Sequence, residues 1–200
     1  MTLSRSLAAA LVGVTLTCAV WAAGNTPSRA DAASLRQKVA SISAFGERPT
    51  QRLNRTTLTE TELNAYLLYE AGDQLPPGVV EPAVSMMGTG RVSGRAVVDL
   101  DAVRRQKAAR GVLDPLGYAT GRLPVAATGV LSSGNGIGKF QLESATLAGI
   151  PIPKAFLQEI VTYYSRTADN PAGVALDNPF PLPARIREIQ VDVGRAVVVQ

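Results

Sequence analysis

The chain has 200 residues, with 20 Lys and Arg against 16 Asp and Glu, a formal charge of +4. Hydrophobic residues make up 46% and charged residues 18%, which excludes a disordered chain. One cysteine and 18 glycines without a triplet period exclude disulfide-rich and collagen-like classes, and the absence of histidine removes every Ser-His-Asp triad, Cys-His dyad and His-ligated metal site.

Arg5 precedes a nearly unbroken run of apolar and small residues over 7–23, the pattern of a secretory signal peptide. Small-residue cleavage signals stand at Ala22-Ala23 and at Ala30-Asp31-Ala32. The second is favoured, so the expectation is a leader over 1–32, cleaved near 23 or 32, and a single domain over 33–200. The protein is then periplasmic or secreted. A retained anchor is the competing reading, although the run is at the short limit for a spanning helix. Cys18 lies inside the run, but Thr15 and Leu16 do not suit a lipoprotein acylation site. Arg104, Arg105, Lys107 and Arg110 form the densest basic cluster. A solvated helix face accounts for it, and a contact with an anionic membrane surface is the alternative. Nucleic acid is not an expected partner, because aromatic and basic residues are not interleaved.

Residues 33–45 place Leu35, Val39 and Ile42 at helical spacing. Residues 52–58 read as a strand. Thr59-Glu60-Thr61-Glu62 is a capping box, which predicts a helix over 60–71 that buries Leu63, Tyr66, Leu67 and Ala71 and ends at Gly72. Val80, Pro82, Val84 and Met86 share one face of a strand, Gly88-Thr89-Gly90 turns the chain, and 92–100 alternates strictly. Residues 102–110 read as a short helix. Leu123, Val125, Ala127, Gly129 and Leu131 line one face of a further strand. Asn135-Gly136 supplies a hairpin turn, and the return over 138–147 puts Phe140 and Leu142 inside. A helix over 153–166 buries Phe156, Ile160 and Tyr163 or Tyr164. The run 178–183 is too rich in proline for a central strand, and a last hairpin joins Ile189, Val191 and Val193 to 196–199. The fold class is α+β, with antiparallel strands whose apolar face must be covered by amphipathic helices.

Chemistry is sparse. Asp99 and Asp101 stand two apart at a strand end, where solvation explains them better than acid–base work. Gly134, Gly136 and Gly138 fit a hairpin rather than a phosphate loop. No calcium-loop spacing occurs, and neither a catalytic residue nor a cofactor is expected. What remains is apolar surface. Met86, Ala96, Val98, Gly129, Leu131, Phe140, Leu142, Phe156, Ile160 and Tyr163 are the candidates for lining a groove. Residue by residue, a dry core is the better account of them. The small inner-face positions Gly94, Ala96, Ala127 and Gly129 keep a cavity in view, because such residues mark either close backbone approach or room for a ligand.

The segment Thr57-Leu58-Thr59-Glu60-Thr61-Glu62-Leu63-Asn64-Ala65-Tyr66-Leu67 resembles the strand-to-helix opening of exported bacterial families in the tubular lipid-binding (TULIP-like) group. Gly149-Ile150-Pro151-Ile152-Pro153 and Pro179-Phe180-Pro181-Leu182-Pro183 are similar to its connectors. The resemblance runs loosely over 52–200. It implies a long curved sheet wrapped around a helix, an apolar groove for acyl chains, lipid or another hydrophobic small molecule as partner, and no catalytic residue. An envelope scaffold domain with a filled core is the alternative function.

Overall fold

The structure is a computed structural model and describes residues 26–48, 52–76, 78–106, 120–166, 171–173 and 175–200. Most of the expected leader, with Cys18, lies outside them, as do Lys107 and Arg110 of the basic cluster and the second half of the expected helix over 102–110.

Helix α1 (Arg29–Glu47) starts four residues ahead of the expected helix, and its start crosses the favoured cleavage signal. Ser28 is its N-cap: the hydroxyl accepts from the Asp31 amide at 3.2 Å, while the Asp31 carboxylate accepts from the Ser28 amide at 3.0 Å. This second capping box was masked in the sequence by its overlap with the leader signal. Strand β1 (Arg55–Thr59) leads into helix α2 (Glu60–Tyr69). Here the expected capping box forms, with Thr59 Oγ1 accepting from the Glu62 amide at 3.2 Å and Glu62 Oε2 accepting from the Thr59 amide at 2.9 Å. The helix is shorter than expected. Glu70 is its C-cap, and Gly72 instead opens a 3-10 turn, Gly72–Gln74.

Strands β2 (Val79–Gly88) and β3 (Arg91–Asp99) form the first long hairpin. Helix α3 (Leu100–Gln106) follows directly. Strands β4 (Arg122–Gly134) and β5 (Ile137–Leu147) form the second hairpin, turned by Asn135 and Gly136, both at positive φ (53° and 81°). The two-residue strand β6 (Ile150–Pro151) leads to helix α4 (Lys154–Ser165). Strand β7 (Phe180–Pro181) is confined by its prolines to a two-residue edge contact on β5. Strands β8 (Glu188–Asp192) and β9 (Arg195–Val199) close the order.

The class is α+β, as the patterning predicts, but the expected single curved sheet is two open sheets. One runs β2-β3-β4-β5-β6 with β7 also on β5, and the other runs β1-β9-β8. All strand pairs are antiparallel, and neither sheet closes or curls strongly. The C-terminal hairpin leaves the large sheet because β1 offers it a full-length partner, from Arg55↔Val199 to Thr59↔Arg195. The sheets meet at the hairpin tips. The Gly90 amide donates to the Val191 carbonyl at 3.1 Å, and the Gly194 amide to that of Met86 at 2.9 Å. Ser133 Oγ accepts from the Ile189 amide at 2.7 Å and donates to its carbonyl at 3.0 Å. Beneath these bonds Met86, Val191 and Ala196 form a buried cluster packed by Leu63, Val92, Leu131 and Ile189. A second cluster of Ile42, Ile186 and Val198 joins α1 to the small sheet.

Helix α2 closes the free edge of β2. Asn64 donates to the Val84 carbonyl at 2.8 Å and accepts from its amide at 2.7 Å, and Glu60 accepts from the Met86 amide at 2.6 Å. These side chains take the place of a missing strand. Helix α1 is pinned to α2 through Glu62, which is 7% exposed. Its carboxylate accepts from Ser34 Oγ at 2.6 Å and pairs with Lys38 at 2.7 Å, and Lys38 also donates to the Thr57 carbonyl at 2.8 Å. Burial pushes the Glu62 carboxyl up, but the hydrogen bonds from Lys38, Ser34 and the Thr59 amide, with the Lys38 charge, outweigh it and lower the pKa from 4.5 to about 2.

A carboxylate with a depressed folded pKa stabilises the fold fully above its unfolded value and loses that contribution as pH falls toward the folded one. The Glu62 network is therefore expected to contribute on the order of 3 kcal/mol at neutral pH, the drop from 4.5 to about 2 at ~1.4 kcal/mol per unit. Urea unfolding of wild type and Glu62→Gln should differ most above pH 4.5 and converge toward pH 2. A gap that does not depend on pH would remove the carboxylate from this role.

Residues 27–32 are built into the fold. The Pro27 carbonyl accepts from Tyr69 Oη at 3.3 Å, Arg29 lies 4.9 Å from the Tyr69 ring centroid, and Ala32 has no exposed surface. Cleavage after Ala32 would remove the cap of α1 and expose the face that meets α2. Processing of the expected leader is therefore predicted at the earlier signal, ahead of Ser28. The intact mass of exported protein checks this; a mature chain starting at Ala33 would overturn it.

Candidate functional site

A cavity of about 640 Å³ lies between the large sheet and the helices above it. Its floor follows the register of the sheet. Val84, Gly94, Ala127 and Ala145 pair in one row across β2 to β5, and Ala96, Val125 and Leu147 pair in the next. Val79 and Val98 continue the floor, and a bulge between Val80 and Ala83, with Glu81 at φ 54°, returns β2 to the right face. The roof is Leu67 of α2, Leu100 and Val103 of α3, Ile152, and Leu157, Ile160 and Val161 of α4.

The row of small residues is what makes the space. A Cβ on Gly94 would meet no atom within 4 Å, and the residue needs no positive φ. Gly129, two residues from Ala127 and on the same face, is the opposite case. A Cβ there would stand 2.5 Å from the Phe140 ring and 2.5 Å from the Gln141 carbonyl oxygen. The two meanings of a small inner-face residue thus occur side by side: room at Gly94, close approach at Gly129.

Of the sequence candidates, Ala96, Val98 and Ile160 line the cavity. Met86 and Leu131 do not; they belong to the buried cluster where the two sheets meet. Gly129, Phe140 and Leu142 lie in the filled rows beyond Ala127 and Ala145, with Phe140 seated on Gly129. Phe156 is 37% exposed, and Tyr163 is half-buried and off the cavity wall. The cause is a phase error on α4. Phe156, Ile160 and Tyr163 describe one stripe and Leu157, Ile160 and Val161 another, and the aliphatic stripe faces the sheet. The signal was present, since i, i+3, i+4 spacing is as good a helical face as i, i+4, i+7. The side chain of Tyr164 lies outside the described residues.

Leu67, Leu100, Val103 and Leu147 were not among the candidates and do line the space. Leu147 was missed because the bulge between Thr128 and Gly129 shifts the pairing, so that Leu142 and Ala145 share a face despite odd spacing.

The wall is almost wholly apolar. Arg95 borders the space, but it stands between Gly94 and Ala96, which face the cavity, so alternation sends its side chain to the other face. Asp99 and Asp101 are engaged by backbone: Asp99 accepts from the Ala102 amide at 2.8 Å and Asp101 from the Gly121 amide at 3.2 Å. Among the described residues no group of three or more His, Cys, Asp or Glu is placed to hold a metal ion, and no helix is long and apolar enough to cross a membrane. No protein-family model matches this chain, and no curated protein does.

The two glycines predict opposite responses to one methyl group. Gly94→Ala should stabilise the fold by about 0.5–1 kcal/mol, because it restricts the unfolded chain and meets nothing in the folded one. Gly129→Ala should destabilise it by about 1–3 kcal/mol through overpacking against Phe140 and the Gln141 backbone. Equal effects in chemical denaturation would mean that the space above Gly94 does not exist.

Proposed function

We propose that this protein binds the acyl chain of a lipid in the cavity between the large sheet and α4, as a non-catalytic carrier of the cell envelope. The observation that carries the reading is the cavity itself. It lies within the usual 300–1,000 Å³ of small-molecule sites, is built from aliphatic and small side chains, and among the described residues turns no charged side chain inward. Such a wall offers an acyl chain a transfer energy of about 0.8 kcal/mol per methylene and offers a polar headgroup nothing. The chain is therefore the part bound, and the headgroup stays at the opening.

Two features of the sequence support the same reading. The apolar leader pattern fits export to a compartment bounded by lipid. The resemblance of the Thr57–Leu67 opening to TULIP-like families points to acyl chains held against a sheet, here under separate helices above an open sheet rather than inside a wrapped one. Delivery at an anionic membrane surface accords with the basic residues of α3, among which Arg105 is exposed.

Filling the cavity separates this reading from a scaffold with no ligand. Gly94→Leu and Ala96→Phe both project into the open row. Each is expected to keep the melting temperature of wild type and to lose uptake of a fluorescent fatty acid. Wild-type protein that takes up no such probe and carries no lipid when isolated from its own envelope would end the lipid reading and leave the scaffold.

A further inference from the structure

We propose that the turn carrying Ile150 is the lip by which the cavity meets a lipid bilayer and hands over its acyl chain; this rests on the acyl-chain reading above. Residues directly opposite one another on antiparallel strands share a face. Leu147 of β5 pairs with Ile150 of β6, and two residues on the Ile152 amide donates to the Ala145 carbonyl at 3.0 Å. Ala145, Leu147 and Ile152 all line the cavity. Ile150 therefore stands on the cavity face, across from one lining residue and one alternation step from another. Yet it is 68% exposed. The apolar wall runs on past Leu147 and Ile152 and out into water at this residue.

The surroundings of Ile150 fit the hydrocarbon side of a bilayer. Residues 144–153 include no charged group. Ala148, Gly149, Ile150 and Pro151 are all exposed, and Ala148 and Gly149 reverse the chain at positive φ (51° and 78°). A two-residue turn of this kind is fixed by its strands, so the apolar tip is presented without a loop having to be ordered. Phe156, on the first turn of α4 and next in sequence to the lining residue Leu157, adds a second exposed apolar side chain. The first charge beyond the turn, Lys154, is held 2.5 Å from Asp177. A chain that leaves along a wall continuous with an inserted side chain keeps its methylenes covered, and the hydrophobic cost of crossing water is avoided. Exposure alone does not mark such a lip. Val193 is 77% exposed and bridges Met87, but both lie where the two sheets meet and neither lines the cavity.

The test loads the protein with a fluorescent fatty acid and mixes it with phosphatidylcholine vesicles. A chain that escapes through water leaves at a rate independent of vesicle concentration, whereas one handed over at contact leaves faster as vesicles are added. The wild-type rate should rise in proportion to vesicle concentration. Ile150→Asp should lower that slope by about 10-fold, the low end for losing the burial of one isoleucine side chain. It should bind the free fatty acid in vesicle-free buffer as wild type does, because Ile150 is not among the lining residues. Ile150→Ser should act in the same direction and carries the test if the aspartate disturbs the turn. Val193→Asp should leave the slope unchanged. A wild-type rate that ignores vesicle concentration, a folded Ile150 variant with the wild-type slope, or a Val193→Asp that loses as much overturns the lip and leaves the acyl-chain reading in place. So does loss of free fatty-acid binding in both Ile150 variants, which would make Ile150 a wall residue. Wild type that takes up no fatty acid overturns both.

Discussion

An antiparallel sheet with one apolar face has to cover that face, and the rest of this structure follows from how unequally it does so. Near the hairpin tips the cover is tight. The small sheet and α2 press Met86, Val92 and Leu131 into a cluster with Val191, Ala196 and Leu63. Toward the other end the cover is α3 and α4, and the strands beneath them present Gly94, Ala96, Ala127 and Ala145. Helices resting on such short side chains cannot reach the backbone floor without collapsing onto it. The same sheet face is thus a dry core at one end and a cavity at the other.

The dry end is also where the polar network is concentrated. Helix α2 does three things at once: it closes the edge of β2 with Asn64 and Glu60, caps itself through Thr59 and Glu62, and receives α1 through the Glu62–Lys38 pair. A buried carboxylate is tolerated there because its oxygens are met by Lys38, Ser34 and the Thr59 amide, so that the charged form is held by bonds it would lose on protonation. A frame of this kind holds the floor and one wall of the cavity in place independently of α4.

Among the described residues no charged side chain faces the cavity. Arg95 shows how the strand pattern enforces this: with Gly94 and Ala96 turned to the cavity, the pleat leaves the guanidinium on the far face. Asp99 and Asp101, on either side of the lining residue Leu100, hold backbone amides around α3.

Much of the local structure was legible in the residues. Alternation over 92–100, Asn135-Gly136 between two apolar runs, and the capping box Thr59–Glu62 each predict an element that forms, because each is a short-range rule obeyed by the chain itself. The α+β class and the covering of an apolar sheet face followed from these patterns. The functional reading of small inner-face residues was only half determined. Sequence spacing places Gly94 and Gly129 alike on inner faces, and nothing local separates the one that opens onto space from the one that lies under Phe140. The choice of the Leu157–Ile160–Val161 stripe over that of Phe156, the bulge that returns Leu147 to the cavity face, and the departure of the last hairpin to pair with β1 are all tertiary decisions. Each depends on which of several equally apolar surfaces finds a partner of matching height. That is settled by packing between segments far apart in the chain, where periodicity carries no information.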